Sequence, residues 1–143
     1  MSCPLCETPG GPVLWHDEVC RIVRADEPDY PGFLRVILKA HVKEMTDLPV
    51  AGQQALMRVV LAAEAALREV MGPDKVNLAS LGNVVPHLHW HVIPRFAGDP
   101  HFPSPVWGAK LRDTPHPAPD DLDVQLAAAL HSRLGVGRGS NDT

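Results

Sequence analysis

The chain has 143 residues, of which 45% are hydrophobic and 21% are charged, and its formal net charge at pH 7 is −4. This length and composition predict a single globular domain over residues 1–143, with a core of ordinary size. The mild negative charge and the lack of a basic stripe argue against a protein that binds nucleic acid, although a small phosphate ligand needs only a few local donors.

The N-terminal sequence MSCPLCETPGG has neither the charged nor the apolar region of a signal peptide. No apolar segment reaches the roughly 20 residues that a membrane span needs. The sequence therefore predicts a soluble, cytoplasmic protein with no membrane partner.

Short apolar or β-branched runs alternate with proline-rich turns along much of the chain. Runs bounded in this way are typical of β-strands. The predicted strands cover residues 13–15, 19–23, 33–38, 76–81 and 87–94. Because they come mostly as neighbouring pairs, we expect an antiparallel sheet of about five strands.

The apolar residues of segment 49–71 instead follow the i, i+3, i+4 spacing of an amphipathic helix, which Gly72 ends. A second helix is predicted after Asp121, beyond a linker-like segment 110–120, and the tail 135–143 is expected to be mobile. Together the elements predict an α+β fold, with one long helix packed on the sheet and a C-terminal helix.

Residues 87–93, HLHWHVI, place three histidines at alternate positions of an apolar run. If this run is a strand, His87, His89 and His91 share one face, and the residues between them can pack under a helix. The histidines could be a polar strand face, metal ligands, or a nucleophile with neighbours that attack phosphorus. The spacing alone does not choose between the last two.

The motif His-φ-His-φ-His-φ-φ, with φ apolar, resembles that of the histidine triad (HIT) family of nucleotide hydrolases and transferases. The segment LGNVVPHLHWHVIPRFAGD is similar to the family's stretch from the phosphate-contacting turn to the end of the catalytic strand, and PDYPGFLRVILKAHVKEMTDL is similar to an earlier hairpin. With CPLC near the start, the resemblance covers most of residues 3–107 and is strongest to the bacterial diadenosine-polyphosphate hydrolase-like branch. It implies a HIT-like fold and commonly a homodimer.

The resemblance also implies a mechanism. His89 would attack the α-phosphorus of a nucleoside phosphoramidate or dinucleoside polyphosphate, and water would hydrolyse the resulting nucleotidyl-histidine without an organic cofactor. His87 and His91 would flank this nucleophile, with His91 as the first hydrogen-bond donor to the phosphoryl oxygens. Asn83 stands where the family has a glutamine, and Gly82 before it allows close approach of the backbone.

Three further residues are candidates for binding the nucleotide. Asn77 lies near the family's pocket asparagine, although it could equally cap a strand end. Asp26 lies near a family position that binds the ribose hydroxyls, although a solvated loop carboxylate is the alternative. Trp107 could complete a pocket, join a dimer contact or pack in the core.

Three positions depart from the family pattern. Asn83 is one methylene shorter than glutamine, Val84 replaces a Ser or Thr hydroxyl, and Phe33 stands where many members carry a fourth histidine. These departures favour an alternative function, a nucleotide-binding or sensing module with little turnover.

Cys3 and Cys6 have the spacing of a metal knuckle, although free thiols on a loose terminus have the same pattern. In related members zinc is held by such a pair and two histidines, which implies His41 and His87 here. A third hypothesis is a zinc hydrolase that uses a His-x-His pair. Cys20 falls in a strand pattern and is expected to be a buried small hydrophobe. The remaining histidines are expected on the surface or in loops: His16, His101, His116 and His131.

Overall fold

The computed structural model describes residues 2–136. Its elements in chain order are α1 (Pro4–Glu7), β1 (Val13–His16), β2 (Cys20–Arg24), β3 (Leu34–Leu38), a 3-10 turn (Met45–Asp47), α2 (Val50–Met71), β4 (Lys75–Ala79), β5 (His89–Arg95) and α3 (Leu122–Leu134). The strands form one antiparallel sheet in the order β1-β2-β3-β5-β4. The predicted α+β fold, with five strands, one long helix and a C-terminal helix, is confirmed.

Helix α2 covers one face of the sheet with a continuous apolar stripe. Its buried residues are Leu56, Val59, Val60, Ala63, Ala66 and Leu67. They form the main core with sheet residues such as Val36 and Val92, both fully buried. Full burial of a leucine or valine side chain stabilises a fold by about 1.5–3 kcal/mol. Gly72 ends the helix at φ +58°, a left-handed conformation that glycine adopts without strain.

Helix α3 packs against α2 and the sheet edge at β1. Leu126 and Leu130 are fully buried in the same core. The indole Nε1 of Trp15 donates to the carbonyl of Gly135 at 2.9 Å, which fixes the end of α3 on β1. Cys20 is buried in this core as predicted, and burial raises its pKa to about 12.

The opposite face of the sheet carries the polar side chains. The register pairs Arg35 with His91 and Ile37 with His89 across β3 and β5. Side chains of directly opposed residues lie on the same face of a sheet. The two strand histidines therefore lie on the side away from α2.

The N-terminal segment folds over part of this second face. Arg21 on β2 donates from Nη2 to the carbonyls of Leu5 and Thr8, at 2.7 and 3.0 Å, and from Nε to that of Pro9 at 2.8 Å. A Cβ placed on Gly10 would lie 3.0 Å from the side chain of Ile37, so the backbone runs directly on the sheet. The segment that carries Cys3 and Cys6 is thereby anchored.

The chain after β5 is fixed by a buried ion pair. Arg95 donates from Nε to Asp99 at 2.8 Å, and Asp99 also accepts hydrogen bonds from the Tyr30 hydroxyl and three backbone N–H groups. Burial alone would raise the pKa of Asp99, but the hydrogen bonds from Arg95 and the backbone lower it well below its usual range. His101 stacks on Tyr30 with ring centroids 5.6 Å apart. It lies in a loop, as expected, but is buried rather than on the surface.

The predicted linker 110–120 packs back on the domain. The ring of His116 stacks on that of Phe96, with centroids 3.5 Å apart. The predicted mobile tail 135–143 lies outside the described residues from 137 onward, and the single domain over 1–143 stays a prediction. No helix within residues 2–136 is long and apolar enough to cross a membrane.

Candidate active site

Strand β5 begins at His89, so two of the three motif histidines lie on it. His87 precedes the strand and is fully buried. The prediction that the strand includes His87 is therefore wrong. The reason is tertiary, because Leu88 N–H donates to the carbonyl of Val42 at 2.8 Å and the His87 ring turns toward the cysteine pair.

The hydrogen bonds of His89 determine which ring nitrogen is free. Its Nδ1 lies 2.6 Å from the carbonyl oxygen of His87. A carbonyl can only accept, so Nδ1 carries the proton and Nε2 keeps its lone pair. The Ser80 hydroxyl donates to the His89 carbonyl at 2.9 Å and fixes the backbone at this point. The arrangement presents an unprotonated nitrogen, which is the form that a nucleophile needs.

His91 lies two residues further along the same face, with its ring centroid 5.0 Å from that of His89. The Nε–H of Arg35 points to its Nδ1 at 3.4 Å, which leaves the His91 proton on Nε2. The rings of Phe33 and Trp107 meet it edge-on at 5.7 and 5.2 Å. Burial, and then the electrostatic influence of His89 and the positive charge of Arg35, lower the pKa of His91 to about 4. His91 is therefore a neutral hydrogen-bond donor at neutral pH.

A cavity of about 150 Å³ lies beside His91. It is lined by Tyr30, Phe33, His101, Val106 and Trp107, together with the carboxylates of Glu27 and Asp29. Trp107 is 53% exposed although its ring contacts His91. A flat ring bound next to the histidines would therefore find an aromatic surface in place.

The turn before the histidines is open to solvent. Gly82 has φ +71°, and Asn83 is exposed. Within residues 2–136 the Asn83 amide makes no hydrogen bond to another residue. Val84 is 93% exposed, so the turn offers an apolar side chain at this position.

Asn77 and Asp26 lie in different surroundings from each other. Asn77 pairs with Ile93 across β4 and β5, and its Oδ1 accepts from Arg95 Nη1 at 2.8 Å. Asp26 is exposed and lines a separate cavity of about 360 Å³ at the start of α3. The structure brings Trp107 to the histidines and places Asp26 in this other cavity. The nucleotide contacts of all three residues stay predictions.

Cys3, Cys6, His41 and His87 form a cluster whose ligand atoms lie within 4.8 Å of one another. The Nδ1 of His87 lies 3.5 Å from each sulfur and 3.1 Å from the Nδ1 of His41. A tetrahedral zinc site with ordinary Zn–S and Zn–N bonds has edges of about 3.3–3.8 Å, close to these separations. The Nε2 of His87 donates to the carbonyl of Leu38 at 2.6 Å, so Nδ1 keeps the lone pair that a metal needs.

Two groups near the site were not among the residues predicted from sequence. Arg35 is the one charged residue of the apolar run 33–38, and its position between the apolar residues Leu34 and Val36 was the signal that could have placed it on the other face of the strand. The network of Tyr30, Arg95 and Asp99 had no such signal, because Tyr30 lies 69 residues before Asp99 in the chain.

Known proteins share the sequence pattern of this chain. The HIT domain profile matches residues 10–98. The chain is 33% identical over 98 residues to the AP-4-A phosphorylase of Mycobacterium tuberculosis. This match covers 61% of this chain and 50% of that protein. It is 29% identical over 87 residues to the adenylylsulfatase HINT3 of Arabidopsis thaliana, which covers 57% and 44%. The chain thus spans about half the length of these curated relatives.

Solved structures share the fold. A histidine triad protein from Bradyrhizobium japonicum gives a TM-score of 0.72 at 30% identity and covers 94% of this chain and 96% of that one. A Zn-bound histidine triad family protein from Mycobacterium smegmatis gives 0.67 at 27% identity, with 92% and 95% covered. The domain match includes well over half of the residues, together with the histidine motif. The resemblance is confirmed, and the chain belongs to the HIT domain family.

Proposed function

We propose that the protein is a nucleotide hydrolase or transferase that cleaves at the α-phosphate of a nucleoside phosphoramidate or dinucleoside polyphosphate through His89. The observation that carries this proposal is the 2.6 Å hydrogen bond from His89 Nδ1–H to the His87 carbonyl, which leaves Nε2 free beside a second histidine. Two relatives, an AP-4-A phosphorylase and an adenylylsulfatase, support a nucleotide substrate.

The proposed reaction has two steps. His89 Nε2 attacks the α-phosphorus, a P–N bond forms, and the bond to the leaving group breaks with its electron pair on the leaving atom. Water then attacks the phosphorus of the nucleotidyl-histidine and loses a proton to the solvent, the P–N bond breaks, and the electron pair returns to Nε2 as the monophosphate leaves. The Nε2–H of His91 stabilises the charge that develops on the phosphoryl oxygens. A donor already held in position does this most effectively, because it need not reorganise during the reaction. Asn83 and the backbone after Gly82 are the further donors that we propose for this phosphate.

Zinc is the metal that we propose for the cluster of Cys3, Cys6, His41 and His87. The two thiolates and two imidazoles are a donor set that zinc prefers, and the fold neighbour from Mycobacterium smegmatis is Zn-bound. Four protein ligands complete a tetrahedron, which is typical of a structural site. Zinc would hold the N-terminal segment to the sheet, and the geometry favours His89 as a nucleophile over a zinc hydrolase with an open coordination position.

A homodimer is also proposed. Strand β4 lies at the edge of the sheet and pairs with β5 on one side. An edge strand of this kind presents unpaired N–H and C=O groups that a second copy can bind. Light scattering or sedimentation should give twice the chain mass.

The test of the function is a substrate panel with wild type and two variants. Purine and pyrimidine phosphoramidates and dinucleoside polyphosphates are incubated with each protein, and the nucleoside monophosphate is measured. His89→Ala should abolish turnover, whereas His131→Ala, at an exposed histidine of α3, should retain it. Mass spectrometry after a rapid acid quench should find a nucleotidyl adduct on residue 89. Full turnover by His89→Ala would refute the nucleophile.

The second candidate function is a nucleotide-binding or sensing module with little turnover. The exposed and unbonded Asn83 and the outward Val84 favour it, because the turn then supplies few fixed donors to a phosphate. Binding of nucleotide in calorimetry, without an adduct and without product over hours, would identify this function.

A further inference from the structure

Arg35 places a positive charge on the same sheet face as the two strand histidines. It is the second residue of β3 and lies directly opposite His91 on β5. Its side chain is 28% exposed, so Arg35 is partly accessible from the solvent side of this face. The charge is permanent, because guanidinium does not lose its proton in proteins.

The charge of Arg35 is only partly compensated by other residues. Its Nε–H points to His91 Nδ1 at 3.4 Å, and its guanidinium lies 5.4 Å from the ring centroid of Phe33. Among residues 2–136 its one carboxylate neighbour is Glu27, at 3.7 Å and 43% exposed. Arg95 on the same sheet is different, since it is 3% exposed and bonded to Asp99 at 2.8 Å. Arg35 therefore has donors to offer to a bound anion, whereas four of the five N–H groups of Arg95 already bond to other residues of the domain.

We propose that Arg35 is a specificity-determining residue that holds the anionic leaving group of the substrate, a phosphate or sulfate oxyanion attached to the α-phosphorus. The proposal rests on the function proposed above and narrows it. The site would prefer nucleoside phosphoanhydrides, including mixed anhydrides with sulfate, to phosphoramidates.

The chemistry of the two leaving groups explains this preference. When His89 attacks a phosphoanhydride, the P–O bond breaks and the oxygen leaves with the electron pair as a phosphate or sulfate anion. That anion needs positive charge and hydrogen bonds, and it needs no proton. When a phosphoramidate reacts, the P–N bond breaks and the amine leaves only after it has gained a proton. Arg35 can supply the charge but not the proton.

The contact between Arg35 and His91 supports the same conclusion. Because Arg35 occupies the Nδ1 side of His91, the ring presents a single N–H from Nε2 to the substrate. The nearby guanidinium also disfavours a second proton on this ring, in agreement with the lowered pKa of His91. Arg35 and His91 therefore both offer hydrogen bonds to an anionic leaving group, and neither is an acid of suitable strength to protonate an amine.

The test compares kcat/KM for diadenosine tetraphosphate and for an adenosine phosphoramidate in wild type, Arg35→Gln and Arg35→Lys. A hydrogen bond to a charged group contributes enough that Arg35→Gln should lower kcat/KM for the tetraphosphate roughly 10- to 100-fold. Turnover of the phosphoramidate should fall less than about 3-fold, and Arg35→Lys should recover part of the loss, because the ammonium keeps the charge without the planar fork. Arg24→Gln, on the face of the sheet that carries the main core, is the matched control and should change neither value.

An equal decrease in kcat/KM for both substrates in Arg35→Gln, or no decrease for either, would overturn the proposal. Thermal unfolding of each variant identifies a loss that comes from misfolding, and Arg35→Lys then serves as the folded variant. If wild type hydrolyses neither substrate, the proposed function fails, and the Arg35 proposal is tested by binding. Adenosine monophosphate and the α,β-methylene analogue of adenosine diphosphate are titrated into wild type and Arg35→Gln. Arg35→Gln should weaken binding of the analogue at least 10-fold more than binding of the monophosphate. Equal weakening of the two ligands would contradict the assignment.

Discussion

The main-chain carbonyl of His87 accepts the Nδ1–H of His89 at 2.6 Å, while the side chain of His87 lies in the cysteine cluster. One residue therefore joins the proposed metal site to the proposed nucleophile. Its ring is fixed from the other side by the carbonyl of Leu38 at 2.6 Å. Any movement of the cluster changes the position of the carbonyl that sets the tautomer of His89.

The first prediction concerns removal of the metal. Chelation, or the substitution Cys6→Ser, should release zinc, lower the melting temperature and lower kcat, because His87 then loses its fixed position. Metal content is measured by mass spectrometry of the purified protein, and thermal unfolding is followed by circular dichroism. A structural zinc site contributes folding free energy directly. Adding zinc back after chelation should therefore restore the melting temperature.

The control for this experiment is Glu7→Gln, an exposed residue of the same helical turn that is outside the cluster. It should keep its zinc and its stability. If chelation removed zinc but left both the melting temperature and kcat unchanged, the metal would have no structural role at His87.

The second prediction concerns pH and His91. Burial, the electrostatic influence of His89 and the positive charge of Arg35 lower its pKa from 6.5 to about 4. Between these two pH values the unfolded chain binds a proton at this residue that the folded chain does not. Its contribution to stability is therefore fully present above pH 6.5 and is lost as the pH falls toward 4.

This effect is measured by urea unfolding of wild type and His91→Gln at several pH values from 4 to 7. As the pH falls through that range, the unfolding free energy of wild type should decrease more than that of His91→Gln, because glutamine does not titrate. A difference independent of pH would mean that His91 titrates normally in the folded protein.

Sequence patterns predicted the elements whose signals are local. The period of segment 49–71 predicted α2, and the alternation in 87–93 correctly placed His89 and His91 on one face. The position of His87 depends on a hydrogen bond from Leu88 to Val42 and on the cysteines near the start of the chain, which no local pattern contains. Such contacts form only when distant segments meet.

The role of Arg35 shows the same limit. Its charge in an apolar strand was visible in the sequence, but its partner was not. Which residue it faces depends on the register between β3 and β5, which pairs it with His91 at a distance of 56 residues along the chain. A shift of one residue would have turned it toward the core.

The third prediction concerns the buried ion pair behind the site. Asp99→Asn should destabilise the fold by about 3–5 kcal/mol, because it leaves the buried guanidinium of Arg95 without its counter-charge. The free energy of unfolding is measured by denaturant titration. Glu69→Gln removes an exposed ion pair with Arg133 and should cost less than about 1 kcal/mol. Equal effects of the two substitutions would show that the Asp99 network contributes no more than a surface pair.

The fourth prediction concerns Trp107, whose half-exposed ring meets His91 at 5.2 Å beside the small cavity. If the ring stacks on the nucleobase, Trp107→Ala should raise KM roughly 5- to 100-fold, in line with about 1–3 kcal/mol for stacking of a base on an aromatic side chain. The kcat value should change little, since Trp107 makes the same contact before and during the reaction.

Trp107→Phe keeps an aromatic surface and should recover most of the affinity, while Leu111→Ala, at another exposed apolar residue of the same segment, should have no effect. Quenching of tryptophan fluorescence by adenosine monophosphate gives a second measurement, and it should be strongly reduced in Trp107→Phe. A drop in kcat with unchanged KM in Trp107→Ala would instead mean that the ring orients His91 and does not bind the base.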